Sequence, residues 1–403
     1  MKYLQISAFT LIAYILSGCS VAVIKSESSS SAATPSHSAS SALLESDTSG
    51  EHFKTTAEFY RSISEPGQAD VAKLNLFFTK MPKGGDLHHH YSGSVYAETY
   101  LDWVKNKGWL IDECTLEIVK APTESDCKQL TVAELLANDP AYRKLLSLWS
   151  DKDFGNHIHI TPPPDEKFFN TFGFFGPIAD DFIPTGLNIL KQRALNENVA
   201  YIETMLSQVG VSSTDYFDAD EIKKINATLQ ASRSQDETDL VLNQITETLL
   251  ASDKFNSRIN QFVDTVKANH TGIDDDRFMM RYQTYAVRVL DPLSVFTDLI
   301  SGYLAANQSP LVVGVNIVAP ENNFVALRDY TLHMRMYNYL LRKYPQVNRA
   351  LHAGELTLGM VRPKNLLFHI RQALEIAQAQ RIGHGVDLPY EHDAIKLLEQ
   401  LKP

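Results

Sequence analysis

Six short strand-like runs recur along this 403-residue chain, and helix-like stretches separate them. The strand-like runs are Gly85–His90, Val199–Leu206, Phe278–Val289, Leu311–Val318, Arg349–His352 and Arg381–Gly383. Helical stretches lie between them at Ala219–Ala231, Glu237–Ser252, Pro292–Asn307, Tyr330–Lys343 and Asn365–Gln380. In the last of these, Leu366, Leu367, Ile370, Leu374 and Ala377 form one apolar stripe at helical spacing. Such alternation predicts βαβ units and a parallel sheet, since parallel neighbours need a crossover that a helix supplies. With 44% hydrophobic and 21% charged residues, the chain can bury a sizeable core. Residues 100–160 break the rhythm. They hold Cys114, Cys127, Trp103, Trp109 and Trp149, and read as an insertion after the first strand that Thr161-Pro-Pro-Pro164 closes.

The N-terminus reads as a processing segment. Lys2 gives a weak positive start, an apolar run follows from Ile6 to Leu16, and Leu16-Ser-Gly-Cys19 resembles the bacterial lipobox. The resemblance implies a lipoprotein signal peptide over residues 1–18 and lipidation of Cys19. The alternative is an ordinary signal peptide that contains a cysteine. The run is too short for a comfortable membrane span. Residues 19–55, rich in Ser, Ala and Thr, read as a flexible tether, and residues 56–403 as the globular part. The expected location is therefore outside the cytoplasm, membrane-anchored and facing periplasm or exterior. Export permits Cys114 and Cys127 to pair, and closing their short loop would stabilise by about 3 kcal/mol. Two unpaired thiols are the alternative, and no CxxC pair supports a cysteine zinc site. The net charge of −11 argues against nucleic acid as a partner.

The residues that carry chemistry stand at strand ends. His88 and His90 are two apart, so in a strand they point to one face while His89 points to the other. Gly93 then permits a sharp turn. His352 ends a later run, Glu355 follows it by three, and His384 sits between Gly383 and Gly385. In a (β/α)8 barrel such ends converge on one site. Three imidazoles can hold zinc and leave a position for water, a carboxyl can shuttle protons, and a further histidine can orient the attacking oxygen. One HxH is a weak signal, while three such motifs in this order are specific. The remaining histidines have blander readings. His157-Ile-His159 lies in the insertion without a partner motif, His37 and His52 lie in or near the tether, and His270, His333, His369 and His392 lack companion ligands. The helical ones among these are expected to face solvent or neighbouring helices. Asp274-Asp-Asp276 reads as a solvated loop on the N-terminal side of the sheet.

Met81-Pro-Lys-Gly-Gly-Asp-Leu-His-His-His-Tyr-Ser-Gly-Ser94, His352-Ala-Gly-Glu355 and Arg381-Ile-Gly-His-Gly385 together resemble the adenosine deaminase family. The extracellular growth-factor branch looks closest, since its members are exported and carry a disulfide-bearing insertion after the first barrel strand. The resemblance runs from about Leu74 onward and takes in Phe168-Phe-Asn-Thr-Phe172 and Val199-Ala-Tyr-Ile-Glu203. It implies a TIM-type barrel with one zinc held by His88, His90 and His352. It implies hydrolysis of adenosine or 2'-deoxyadenosine to inosine and ammonia, with Glu355 protonating the purine and His384 positioning the attacking hydroxide. Ser92 stands where the family places a ribose contact, and Ala319 where a glycine amide meets the purine. Asn316 replaces a common aspartate. Phe168 to Phe175 reads as core packing or as a hydrophobic lid over the purine.

The family also carries a Ser/Thr-Asp-Asp-Pro motif at the end of its eighth strand, and this chain ends at Leu401-Lys-Pro403, after the sixth strand-like run. The expectation is thus an incomplete barrel without strands seven and eight, short of a carboxylate ligand and weakly active. Two rivals remain. One is a deaminase of another aminopurine or a modified nucleoside; no Arg/Lys phosphate cradle adjoins the histidines, which disfavours a nucleotide. The other is a non-catalytic nucleoside- or zinc-binding surface lipoprotein, against which Glu355 and His384 argue, since a binder needs no proton donor.

Overall fold

The structure, a computed structural model, describes residues 21–22, 48–157 and 159–401. The signal segment, Cys19, His37, most of the expected tether and the side chain of His157 lie outside the described residues. Two compact units divide the rest. One comprises the described residues from 48 to 206 with Asp264–Tyr282, the other Ser207–Val263 and the chain from Gln283 onward.

In the N-terminal unit, β1 (Gly84–His90) and β2 (Val199–Met205) are parallel neighbours, with His89 opposite Thr204 and His90 opposite Met205. A register irregularity lies between Asp86 and His89. The crossover runs through α1 (Pro164–Ala179) and α2 (Ile183–Asn196), and Leu187, Leu190 and Ala194 give α2 a buried stripe at helical spacing. The insertion carries its own structure. Helix Ala97–Lys107 ends at Gly108 in the left-handed conformation, and a small antiparallel sheet places Leu110–Asp112 between Ile118–Val119 and Gln129–Leu130. Cys114 and Cys127 are joined by a disulfide. Buried Trp149, at the end of helix Asp139–Trp149, donates its indole N–H to the Leu116 carbonyl at 2.9 Å and ties helix to sheet.

β3 (Met279–Val287) begins in the N-terminal unit and continues into the C-terminal one, where β4 (Val312–Val318), β5 (Asn348–Ala353) and β6 (Arg381–His384) follow. β4 pairs parallel with β5, and β5 with β6, with Gly383 opposite His352. Consecutive buried residues Gly314, Val315, Asn316 and Ile317 mark β4 as covered on both faces, as parallel strands between helices are. Of those helices, α3 (Pro292–Gln308) starts on Asp291, which accepts the Ser294 N–H, and α4 (Phe324–Lys343) starts on Asn323. The sheet order follows chain order from β1 to β6. The fold is α/β of the TIM-barrel type, with six barrel strands among the described residues. Residues Val21–Ala22 pair antiparallel with β6, and helix Thr48–Ser64 begins inside the segment read as a tether. Among the described residues no helix is long and apolar enough to cross a membrane.

Gly93 lies in the tight helical turn Tyr91–Ser94 directly after β1, where a Cβ would lie 3.2 Å from the Phe172 ring and that ring would have to give by a few tenths of an ångström. One local reading changes. The stripe from Leu366 to Ala377 is not one helix. It divides into a 3₁₀ turn (Pro363–Leu366) and a short helix (His369–Glu375), after which Gln378 takes a φ of 51°. The short helix begins where Glu391, distant in sequence, accepts the Ile370 and Arg371 N–H groups, a cap that local periodicity does not reveal.

The disulfide spans a sequence separation of 13 residues. Loss of a loop this size should lower stability by about 3 kcal/mol. Thermal melts with and without reductant should show a fall in Tm for the native chain and none for Cys114→Ser/Cys127→Ser, whose Tm should already match the reduced protein. An unchanged Tm on full reduction would show that the loop contributes nothing.

Candidate functional site

At the end of β1 the His88 and His90 rings lie 5.4 Å apart between centroids, both half-buried. The chain on either side is pinned. Asp86 accepts the His88 N–H at 3.2 Å, the Ser94 hydroxyl donates to the His90 carbonyl at 2.7 Å, and the Tyr100 hydroxyl donates to the Ser92 carbonyl at 2.7 Å. His89 lies elsewhere: its Nδ1 bonds the Thr204 hydroxyl at 2.9 Å. Burial, with help from Arg193, pulls its pKa down to about 4, so it is a neutral structural imidazole at pH 7. Ser92, the expected ribose contact, is half-buried in the turn that follows the pair. The core-packing reading of the aromatic run after the insertion holds at Phe175. Phe175 is buried and stacks on Tyr100 at 4.8 Å, while Phe168 and Phe172 line a cavity of about 480 Å³ beside His89 and Arg193. Of the second HxH, His159 is exposed.

The C-terminal unit gathers His352, Glu355 and His384. His352 is buried at the end of β5, and Asn316 on β4 orients it. Asn316 Oδ1 lies 2.8 Å from His352 Nδ1, 3.2 Å from the His352 N and 2.8 Å from the Ile317 N. Two of these neighbours are backbone donors, so the atom facing them is the amide oxygen, and it accepts. Its partner Nδ2 donates to Gln283 Oε1 at 2.8 Å. His352 therefore carries its proton on Nδ1 and presents the lone pair of Nε2, the tautomer a metal ligand needs. The His352 and His384 ring centroids are 5.1 Å apart, and His384 Nε2 lies 3.7 Å from Glu355 Oε1.

Two turns hold this group. The Ala353 and Gly354 carbonyls accept the N–H groups of Gly385 and Val386 at 2.9 and 2.8 Å, stitching the exit of β5 to that of β6. From beneath, the buried Glu321 carboxylate accepts the Gly354 N–H at 3.2 Å and the Glu355 N–H at 2.7 Å. Arg288, 1% exposed, donates to the His352 and Ile317 carbonyls and lies 3.4 Å from Glu321. Gly354 has φ 75°, and a methyl group there would collide with the Asp387 carboxyl. His384 and Ala319 also take positive φ, 76° and 84°, which costs a non-glycine residue about 1–2 kcal/mol each.

Glu321, Arg288 and Asp387 went unread in the sequence. The usable signal was position: Arg288 extends β3 by one residue and Glu321 follows β4 by three, both at the strand ends where barrel sites are built. His333 and His369, expected to face solvent or a neighbouring helix, are fully buried, each with its pKa pulled to about 4 by burial. The His369 ring packs against Tyr330 and Phe368. The acidic run is bonded rather than merely solvated. Asp274 accepts the Met280 N–H and pairs with Arg281, and Asp275 pairs with Lys191 at 2.7 Å.

No family model matches the sequence, and no curated protein matches it. Among solved structures, the chain is similar to the adenine deaminase of Arthrobacter aurescens (13% identical, covering 78% of this chain and 68% of that chain, TM-score 0.39). It is also similar to an amidohydrolase of Burkholderia ambifaria with bound Zn (15% identical, 79% of this chain and 62% of that chain, TM-score 0.38). A third is Arabidopsis ADAL complexed with GMP (16% identical, 80% of this chain and 70% of that chain, TM-score 0.42).

Burial, with the Glu321 and Glu391 carboxylates nearby, pushes the pKa of Asp387 up to about 8. The folded protein thus keeps a proton that the unfolded chain releases near pH 4, and this residue's contribution to stability falls as pH rises from about 4 to 8. The slope approaches about 1.4 kcal/mol per pH unit. Urea unfolding at pH 5.5 and 8.5 should show that Asp387→Asn loses less stability across the window than the native chain. Equal losses would show that Asp387 is ionised in the fold.

Proposed function

We propose that the protein is a zinc-dependent hydrolytic deaminase of purine nucleosides, converting adenosine or 2'-deoxyadenosine with water to inosine and ammonia. The observation that carries this reading is the placement of the Glu355 carboxyl beside the His384 imidazole, with an oriented His352 ring alongside. A binding protein has no use for a proton donor held in that way.

The donor set fits one zinc ion. His88 and His90 share a strand face in one unit, and His352 presents Nε2 in the other. We assign the three as its ligands, as the motif order in the sequence suggests. Zinc, when bound, lets water ionise near neutral pH and so supplies a nucleophile. The remaining work falls to the chain's own groups. Glu355 in its acid form gives a proton to the ring nitrogen next to the amine-bearing carbon, which draws electron density away from the carbon under attack. His384 holds the attacking oxygen by hydrogen bond and stabilises the charge on it. The amine then takes up the remaining hydrogen of the added oxygen and leaves as ammonia, while the proton first released by the water restores Glu355. The Ser92 hydroxyl is assigned to the ribose and the Ala319 N–H to the purine. Asp387, neutral at pH 7, and His89, bonded to Thr204, take no part. Lipidation at Cys19 would hold the enzyme at a membrane surface outside the cytoplasm, where nucleosides are encountered.

The test is an assay on the purified chain, following the loss of adenosine's ultraviolet absorbance and the release of ammonia. A chelator should abolish turnover and added zinc restore it. Glu355→Gln should lower kcat by about 10²–10⁴-fold with zinc retained, and His352→Ala should lose the metal. A zinc-loaded native chain that releases no ammonia from adenosine, 2'-deoxyadenosine or adenine would overturn the catalytic reading in favour of a binder.

A further inference from the structure

His352 and Glu355 lie on one short turn, and the buried pair of Glu321 and Arg288 touches that turn at both ends. Arg288 donates to the His352 carbonyl at 2.7 Å, where the turn leaves β5. Glu321 accepts the N–H groups of Gly354 and Glu355, where the turn delivers the acid. We infer that Glu321 is the positioning residue for Glu355, and that Arg288 locks it in register with His352. This rests on the deaminase reading for its catalytic consequence, and its structural half stands apart from that reading.

The geometry demands a carboxylate. Glu321 spends Oε2 on the Glu355 N–H at 2.7 Å, and Oε1 on the Gly354 N–H at 3.2 Å with Arg288 at 3.4 Å. Two adjacent backbone donors and a guanidinium thus converge on two oxygens that only accept. Glutamine has the same shape but turns an NH₂ towards one of these donors, so one hydrogen bond becomes a repulsion. The site is closed to bulk solvent, since the Glu321 side chain is 0% and the Arg288 side chain 1% exposed, so the lost hydrogen bond is not readily replaced. Gly354 cannot move aside either. It holds φ 75°, its carbonyl is tied to Val386, and its Cα faces Asp387. Freed from Glu321, the turn pivots about that carbonyl and carries the Glu355 carboxyl away from His384. A misplacement of about 1 Å at a proton donor would cost about 10²-fold in rate.

Three variants separate positioning from simple support. Glu321→Gln should stay folded with its zinc. Its kcat should fall about 10²-fold with KM changed by only a few fold, and the Gly354 and Glu355 amides should exchange hydrogen about 10- to 100-fold faster than in the native chain. Glu321→Asp should recover part of the rate. If Glu321→Gln unfolds because Arg288 is left unpaired, Arg288→Met/Glu321→Leu removes both charges. That variant should regain thermal stability while kcat stays low and the two amides stay fast. A folded, zinc-loaded Glu321→Gln with native kcat, or unchanged exchange at both amides, overturns the inference. If the native chain itself releases no ammonia, the deaminase reading fails, and amide exchange alone decides the role of Glu321.

Discussion

A buried carboxylate governs the chemical end of the C-terminal unit. Glu321 is buried, and such a group is stable only when its oxygens are taken up by donors. Here the donors are the Gly354 and Glu355 N–H groups and Arg288. Arg288 in turn binds the Ile317 and His352 carbonyls. The set links the ends of β3, β4 and β5 through charge-assisted contacts that have one good geometry. Replacing it with apolar residues of similar volume would be no less stable in principle. Its value lies in fixing where a three-residue turn sits.

The neighbouring protonation states follow from that charge. Asp387 lies in the same buried region, and the Glu321 carboxylate raises its pKa to about 8 together with burial and Glu391. A second buried carboxylate there would have no cation of its own, so Asp387 keeps its proton. His369, 4.0 Å from Asp387, answers burial the other way and stays neutral. The pair meets the distance for an ion pair yet consists of two uncharged groups. Beside the Glu321–Arg288 pair, Asp387 and His369 are both held neutral by burial.

All six strand-like runs became strands with ends moved by one or two residues; β4 was legible because burial on both faces leaves a continuous apolar run, and β1, which is not apolar, because its histidines mark a strand end. The alternation of His88, His89 and His90 was legible because side-chain direction in a strand depends on parity alone. Legibility ended where a partner is distant in sequence. The cap that Glu391 supplies to the helix at His369 splits a stripe that looked continuous, and it comes from twenty-one residues away. The close approach of Phe172 to Gly93 comes from a partner far along the chain. Glu321 and Arg288 look like ordinary surface charges until both strand ends are in view. The positive φ of His384 and Ala319 is likewise invisible in a string of letters, and such strain survives only where surrounding structure holds it.

Asn316 shows how this neighbourhood tolerates a departure from the resemblance. An aspartate at that position would also accept the His352 Nδ1–H and would make the imidazole a more basic ligand. It would also bring another carboxylate to an end of the sheet that already holds Glu321 and the neutral Asp387. Arg288, shared among Glu321 and two carbonyls, offers it no further compensation. The amide keeps what orientation requires, an oxygen that accepts from Nδ1 and two backbone N–H groups, and Gln283 engages its nitrogen. Orientation is thus preserved without adding charge. For the zinc proposed above, an amide partner would leave His352 a less electron-rich ligand than an aspartate would.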